Sequence, residues 1–431
     1  MSKLQIPSVP HLVHIETTYR CNQRCKFCYN PCRDLPDDFP TLDMIVDSIY
    51  NSWVPHVYLI GGEPSLLGTA RLNGYIEKLT ERSSVTIVTN GQIYLRGLSN
   101  KLACIGIPVH GDEQSHDFLA SKRGSYKRAI VAARRYVEDG FDVRCIPVLT
   151  KQNFNLMYAV IKMAHDIGME SVFVDRYEEG GLGSKSEVDL KPSVQEFHIA
   201  LEQMIQARDE LGIPVGWGTA IPYCLDPLLV KHNMTADCGA GVTFAAINPK
   251  GDVRTCNQSE IIYGNVLNEP IEQIWHKESL NEFRDLRWVT GRCRSCDVLG
   301  DCLAGCKVDV NCSNKYCVDY AMRDPEVNPC KVDKREIVEA ATSIRNPRRL
   351  RHWKLNRYMR INVAHAEKYL VTRYQTIVIN DMALEMLKAI TQGVDSEAEL
   401  IRLFGSKVMR ADVRSFVSQL AFVHAIDVEG D

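Results

Sequence analysis

The chain has 431 residues, 45% hydrophobic and 24% charged, which excludes a disordered protein and leaves room for two to three domains. Its 51 basic and 54 acidic residues give a net charge of −3, which argues against a general nucleic-acid binder. No run approaches the roughly 18 apolar residues of a membrane span, and residues 1–15, with Lys3, Pro7, Pro10 and His11, lack the apolar core of a secretory signal. A cytoplasmic protein with no membrane partner is expected.

In chain order, the first half alternates strand and helix patterns. Runs rich in Val, Ile and Leu at 11–18, 56–62, 84–91, 103–111, 142–150 and 171–176 predict strands. Helical patterns lie between them near 42–53, 70–82, 126–140 and 156–168. This alternation predicts an α/β fold with a parallel sheet and right-handed crossovers, a partial (β/α)6 barrel over residues 1–190. Sites in such folds gather at the C-terminal ends of strands. Residues 191–235 read as a bridging segment with a helical stretch at 193–211. Residues 236–335 form an irregular, cysteine-rich module, and 336–359 a basic linker. Residues 360–431 read as a compact α+β unit, with strands at 360–363, 369–373 and 376–379. Three helices follow there, the first capped by Asn380-Asp381 and the others at 396–404 and 411–422.

Sixteen cysteines are many for a chain without a secretory signal. Cys21, Cys25 and Cys28 read C-x3-C-x2-C directly after the first strand. Three thiolates so close can hold three irons of a cubane [4Fe–4S] cluster and leave the fourth iron open to a substrate. Zinc explains C-x2-C pairs but not easily a triplet with no fourth ligand in register. A disulfide scaffold belongs to small secreted domains. The pattern therefore favours clusters over zinc, and zinc over disulfides.

The triplet resembles the signature of the radical S-adenosylmethionine (SAM) enzymes. The resemblance implies that Cys21, Cys25 and Cys28 are the catalytic cluster ligands and that the open iron chelates the amino and carboxylate groups of SAM. One electron, from a flavodoxin- or ferredoxin-type donor, then cleaves SAM to methionine and a 5′-deoxyadenosyl radical. Gly61-Gly62-Glu63-Pro64 ends the second strand and looks like the family motif that binds the SAM amino group. Its glycines permit close backbone approach. Phe27 would stand against the adenine, and Asn90 lies in Thr89-Asn90-Gly91, which resembles the family's T-N-G. Many relatives read S-x-D-G on the fourth strand. This chain reads Pro108-Val109-His110-Gly111, so that contact passes elsewhere, with His110 the candidate. Arg176 ends the sixth strand, and its fork of donors suits a SAM or substrate carboxylate. Each has a plain alternative: turns at 61–64 and 89–91, a core aromatic, a strand-end histidine and a surface salt bridge.

Cys238, Gly251, Cys256, Cys293, Cys296, Cys302, Cys306 and Cys330 follow the order C-x12-G-x4-C, C-x2-C-x5-C-x3-C, C. This looks like the SPASM domain of radical SAM enzymes, which implies two auxiliary iron–sulfur clusters. Carried over by position, Cys238, Cys256 and Cys306 serve the first, and Cys293, Cys296, Cys302 and Cys330 the second. Cys312 and Cys317 are extra; one could complete the first cluster, or both are spectators. Sulfatase-maturing relatives carry a proton-accepting Asp after the second SPASM cysteine. Asn257 stands here and cannot act as a base, which weakens formylglycine formation.

The last unit resembles a RiPP recognition element, a small winged helix that presents the leader of a ribosomally made precursor peptide. The likeness lies in Asn380–Leu387 and Asp412–Leu420. Such units add the leader as an edge strand. The implied function is a radical SAM/SPASM enzyme that abstracts hydrogen from a precursor peptide, to crosslink it or excise backbone. A radical SAM enzyme acting on tetrapyrrole or haem side chains is a second reading. A cluster-bearing, DNA-binding redox sensor is a third, which the basic run Arg345–Arg360 keeps open.

Overall fold

The computed structural model describes residues 6–286, 288–289, 291–307, 318–324, 327, 332, 352–365 and 367–428. Cys312, Cys317, Cys330 and most of the basic run lie outside them.

Five strands follow one another in parallel: β1 (Leu12–Glu16), β2 (His56–Ile60), β3 (Ser84–Val88), β4 (Cys104–Ile107) and β5 (Val143–Cys145). The run expected at 142–150 is divided by Ile146-Pro147 into β5 and β6 (Val148–Leu149), because proline offers no N–H to a ladder. β7 (Ser171–Arg176) pairs in parallel with both pieces and with β8 (Val215–Trp217). β8 belongs to the stretch read as a bridge, and so does the helix Val194–Leu211, closed at its start by a Ser193–Glu196 capping box.

The cysteine-rich module is more regular at its start than its sequence suggested. β9 (Phe244–Ile247) joins β1 in parallel, and β10 (Asp252–Arg254) and β11 (Gly264–Asn265) continue antiparallel from it. The result is one 11-stranded sheet. Alternation along such short strands is hard to see, since β10 and β11 hold three and two residues. One apolar core runs through the barrel and this module, from Val13 and Ile15 to Trp275 and Val289.

A second, separate core belongs to residues 353–428. Here β13 (Arg360–Asn362), β14 (Lys368–Val371) and β15 (Thr376–Ile379) form an antiparallel sheet, followed by helices Asp381–Thr391, Glu397–Phe404 and Arg410–Phe422. A further antiparallel pair joins β12 (Trp353–Leu355) to β16 (Ile426–Val428), and Trp353 is buried in this core. Trp353 thus packs with the terminal unit although it lies in the stretch read as linker.

This unit docks on the N-terminal ends of the barrel strands. The Asn362 amide donates to the Trp53 carbonyl (2.7 Å) and the Tyr358 hydroxyl to that of Leu102 (3.1 Å). Arg373 Nε donates to the Ala103 carbonyl (2.7 Å), and its other nitrogens pair with Glu170 (2.6 Å) and Asp142. His56, at the start of β2, is buried in this contact and bonds the Gln375 backbone. Burial lowers its pKa from 6.5 to about 4, with His11 adding a smaller push the same way. The unfolded chain therefore takes up this proton first as the pH falls. We predict that urea stability drops between pH 6.5 and about 4 and that His56→Gln flattens part of that slope.

Candidate active site and clustered cysteines

The chain leaves β1 at Glu16 and crosses its C-terminal end into the loop that carries Cys21, Cys25 and Cys28. Backbone bonds hold this crossing against the end of β2. Thr17 N–H donates to the Ile60 carbonyl (2.7 Å), Gly62 N–H to that of Thr18 (2.6 Å) and Glu63 N–H to that of Arg20 (2.8 Å). A Cβ on Gly62 would lie 2.0 Å from the Arg20 carbonyl oxygen, and one on Gly61, at φ +136°, 2.7 Å from that of Thr18. Only glycine permits this approach. The loop after β7 presses from another side. Gly183 N–H donates to the Cys28 carbonyl (3.0 Å), and a Cβ on Gly181, at φ +54°, would lie 2.1 Å from the Tyr29 carbonyl oxygen. Sequence reasoning missed this second support; its signal was the run Gly180-Gly181-Leu182-Gly183 after a strand.

The three thiols gather on this loop. Burial pushes the Cys21 thiol up to about 11, opposed by a backbone N–H of Gln23 aimed at the sulfur. Burial pushes Cys25 further, and the charges of Cys28 and then Cys21 add to it. Arg33, also missed from sequence, is buried nearby; its Nη2 donates to the Cys25 carbonyl (3.0 Å) and its charge opposes the rise on both thiols. Thiols at Cys21 and Cys25 that are costly to ionise here, with Cys28 beside them, suit a cationic metal centre that takes their protons' place. A four-iron cube takes ligands spread around its corners, and the donor set fits one.

Glu63, Asn90 and Cys21 form one connected set. The buried Glu63 carboxylate accepts from Ser65 N–H (2.9 Å), the Thr89 hydroxyl (2.5 Å) and Asn90 N–H (2.8 Å). Burial raises its pKa and these bonds oppose the rise. The Asn90 amide donates to Asn22 Oδ1 (2.7 Å) and approaches Cys21 Sγ at 4.0 Å. Phe27 meets the His110 ring edge-on at 4.8 Å, and His110 stacks on His116 at 5.2 Å. Val148 N–H donates to His110 Nδ1 (3.1 Å), so the bond network assigns the ring proton to Nε2. Burial and then His116 hold His110 neutral, well below its ordinary pKa.

Arg176 is placed differently from the open strand end expected of it. Its side chain is 1% exposed and pairs through Nη2 with Glu178 (3.0 Å) and Asp319. Burial opposes its charge, but Asp319 and Glu178 keep it ionised. Two buried carboxylates claim one cation, while Nη1 has no partner among the described residues. A cavity of about 400 Å³ opens beside it, lined also by Lys151, Lys191, Phe197 and Tyr320.

Two further groups of cysteines assemble in the module. Cys238, Cys256 and Cys306 come within electrostatic reach of one another; burial pushes Cys256 up to about 12 and holds Cys306 well above its ordinary range. Cys293, Cys296 and Cys302 line one apolar cavity together with Cys224, a residue the sequence did not single out. Burial pushes Cys293 and Cys302 up to about 11 and Cys224 to about 12. Asn257 clasps the barrel: its amide donates to Glu16 (2.7 Å) and its oxygen meets His14 Nδ1 (2.7 Å), while Arg254 pairs with the same Glu16 (2.5 Å).

The glycine contact yields a direct expectation. Gly62→Ala should cost about 2 kcal/mol or more in a urea titration. Gly74→Ala, in a helix with nothing within 4 Å of the new methyl, should be neutral or stabilising by up to about 1 kcal/mol.

Known proteins resemble the chain over these same regions. The Radical SAM superfamily profile matches residues 15–172, and the SPASM profile, an iron–sulfur cluster-binding domain, matches residues 238–297. The chain is 26% identical over 321 residues to the PqqA peptide cyclase of Bradyrhizobium diazoefficiens, covering 69% of this chain and 82% of the relative. It is 25% identical to that of Gluconobacter oxydans, with 70% and 87% covered. Among solved structures it is similar in fold to Streptococcus suis SuiB bound to precursor peptide SuiA, with a TM-score of 0.60 at 19% identity over 76% of this chain and 77% of that one. It is also similar to anSMEcpe with bound AdoMet and Cp18Cys peptide, with a TM-score of 0.58 at 15% identity over 78% and 99%. A radical SAM domain works with a [4Fe–4S] cluster and SAM, and a SPASM domain with auxiliary clusters. The chain is a radical SAM enzyme with a SPASM iron–sulfur domain.

Proposed function

We propose that this enzyme modifies a ribosomally made precursor peptide. The observation that carries the reading is the likeness to PqqA peptide cyclases over 321 residues, 69% of the chain. The fold shared with SuiB, a protein solved with its precursor peptide, supports it. Cys21, Cys25 and Cys28 would hold the catalytic cluster, which supplies one-electron cleavage of SAM when bound. Gly61 and Gly62 would bring backbone beside the SAM amino group, Glu63 and Asn90 would orient that end, and Phe27 would face the adenine. Neutral His110 would brace Phe27 and exclude water. The auxiliary groups Cys238, Cys256 and Cys306, and Cys293, Cys296 and Cys302, would hold the SPASM clusters. The chemistry needs a low-potential donor of the flavodoxin or ferredoxin type and the reducing cytoplasm.

The terminal unit is the candidate leader-binding element. Its antiparallel sheet keeps β15 as an edge, with Val378 60% exposed, beside the helix Asp381–Thr391. An extended leader added to such an edge gains main-chain hydrogen bonds.

The test is anaerobic incubation of the reconstituted protein with SAM, dithionite and a precursor peptide encoded beside it. A mass change in the peptide and 5′-deoxyadenosine above the peptide-free level are expected. Cys25→Ala should abolish SAM cleavage yet retain peptide binding by calorimetry. An unchanged peptide with no added deoxyadenosine contradicts the peptide reading.

A further inference from the structure

One cysteine in the cavity beside Cys293 has no place in the SPASM pattern. Cys224 precedes the matched stretch 238–297 and lies within the loop closed by the isolated bridge between Ile221 and Ala236. It nevertheless lines the same cavity as Cys293, Cys296 and Cys302, closed by Leu299 and Met322. Its turn is anchored at that spot. Tyr223 is buried, its hydroxyl donates to the Asp301 carbonyl (3.2 Å), and its backbone N–H is aimed at the Cys302 sulfur. Cys224 Sγ lies 3.6 Å from Met322 Sδ. The wall is otherwise apolar, with Pro222, Val298 and Ala304.

An apolar cavity faced by four cysteines from two separate segments suits four-cysteine ligation of an iron–sulfur cluster. Two of the four, Cys293 and Cys296, already lie within the iron–sulfur domain match. We propose that Cys224 is the fourth protein ligand of the auxiliary cluster held by Cys293, Cys296 and Cys302. Each thiol would release its proton to solvent as its sulfur binds iron, with no electron transferred. This takes the place that the family pattern gives to Cys330, and it does not depend on the substrate being a peptide.

The experiment uses the full chain with Cys21→Ala, Cys25→Ala and Cys28→Ala together, so that auxiliary clusters alone contribute. After anaerobic reconstitution with iron and sulfide, adding Cys224→Ala should remove up to about four irons per chain. The corresponding Mössbauer signal should vanish, while Cys330→Ala keeps both. Cys224→Ser should retain iron but shift the Mössbauer parameters of one site, as an oxygen ligand would. Parent iron content and spectrum in Cys224→Ala would overturn the proposal, as would loss of this cluster in Cys330→Ala alone. If thermal melting of the cluster-free Ala variant falls, the Ser variant decides, and an unshifted spectrum there counts against Cys224.

Discussion

The site rests on two carbon atoms that are absent. Without side chains at Gly61 and Gly62, the end of β2 closes on the carbonyls of Thr18 and Arg20, and any larger residue would push the two chains apart. That contact fixes the path from β1 into the cysteine loop. It also sets Glu63 where Ser65, Thr89 and Asn90 can satisfy its buried carboxylate. Asn90 then reaches Asn22 beside Cys21. The thiols, the carboxylate and the amide are thus held by one arrangement of backbone across neighbouring strand ends.

The rest of the chain is arranged around that end of the barrel and its opposite. The SPASM domain is tied to β1 twice, by the parallel pairing of β9 and by Arg254 and Asn257 on Glu16. The terminal unit instead covers the N-terminal strand ends through Asn362, Tyr358 and Arg373. The cysteine loop lies at the C-terminal ends. Strands of four to six residues span about 13–20 Å. A peptide would have to cross the barrel's height to reach the site if, as proposed, the terminal unit holds its leader.

Much of this was legible because local signals coincide with strand ends. The β1–β5 and β7 segments were readable as apolar runs bounded by turns, and the triplet and Gly61–Pro64 are punctuated by residues whose chemistry is specific. What stayed hidden depends on chain segments meeting from far apart. Arg33 has no motif, and its role comes from burial beside Cys25. Arg176 looked like an open donor because Asp319, its partner, lies 143 residues away. Cys224 carries no spacing signal, and only folding places it with Cys293, Cys296 and Cys302. The division at Pro147 and the two-residue strand β11 are too short for periodicity to reveal.

In the proposed function, Cys21, Cys25 and Cys28 leave one iron of a cluster free to bind SAM beside Glu63. Electron–nuclear double resonance on the reduced, reconstituted protein reads this directly, using SAM labelled with nitrogen-15 at its amino group. A resolved coupling between that nitrogen and the cluster, absent when Cys25 is alanine, is the predicted result. A cluster whose spectrum takes no coupling from labelled SAM, at saturating SAM, would contradict the account.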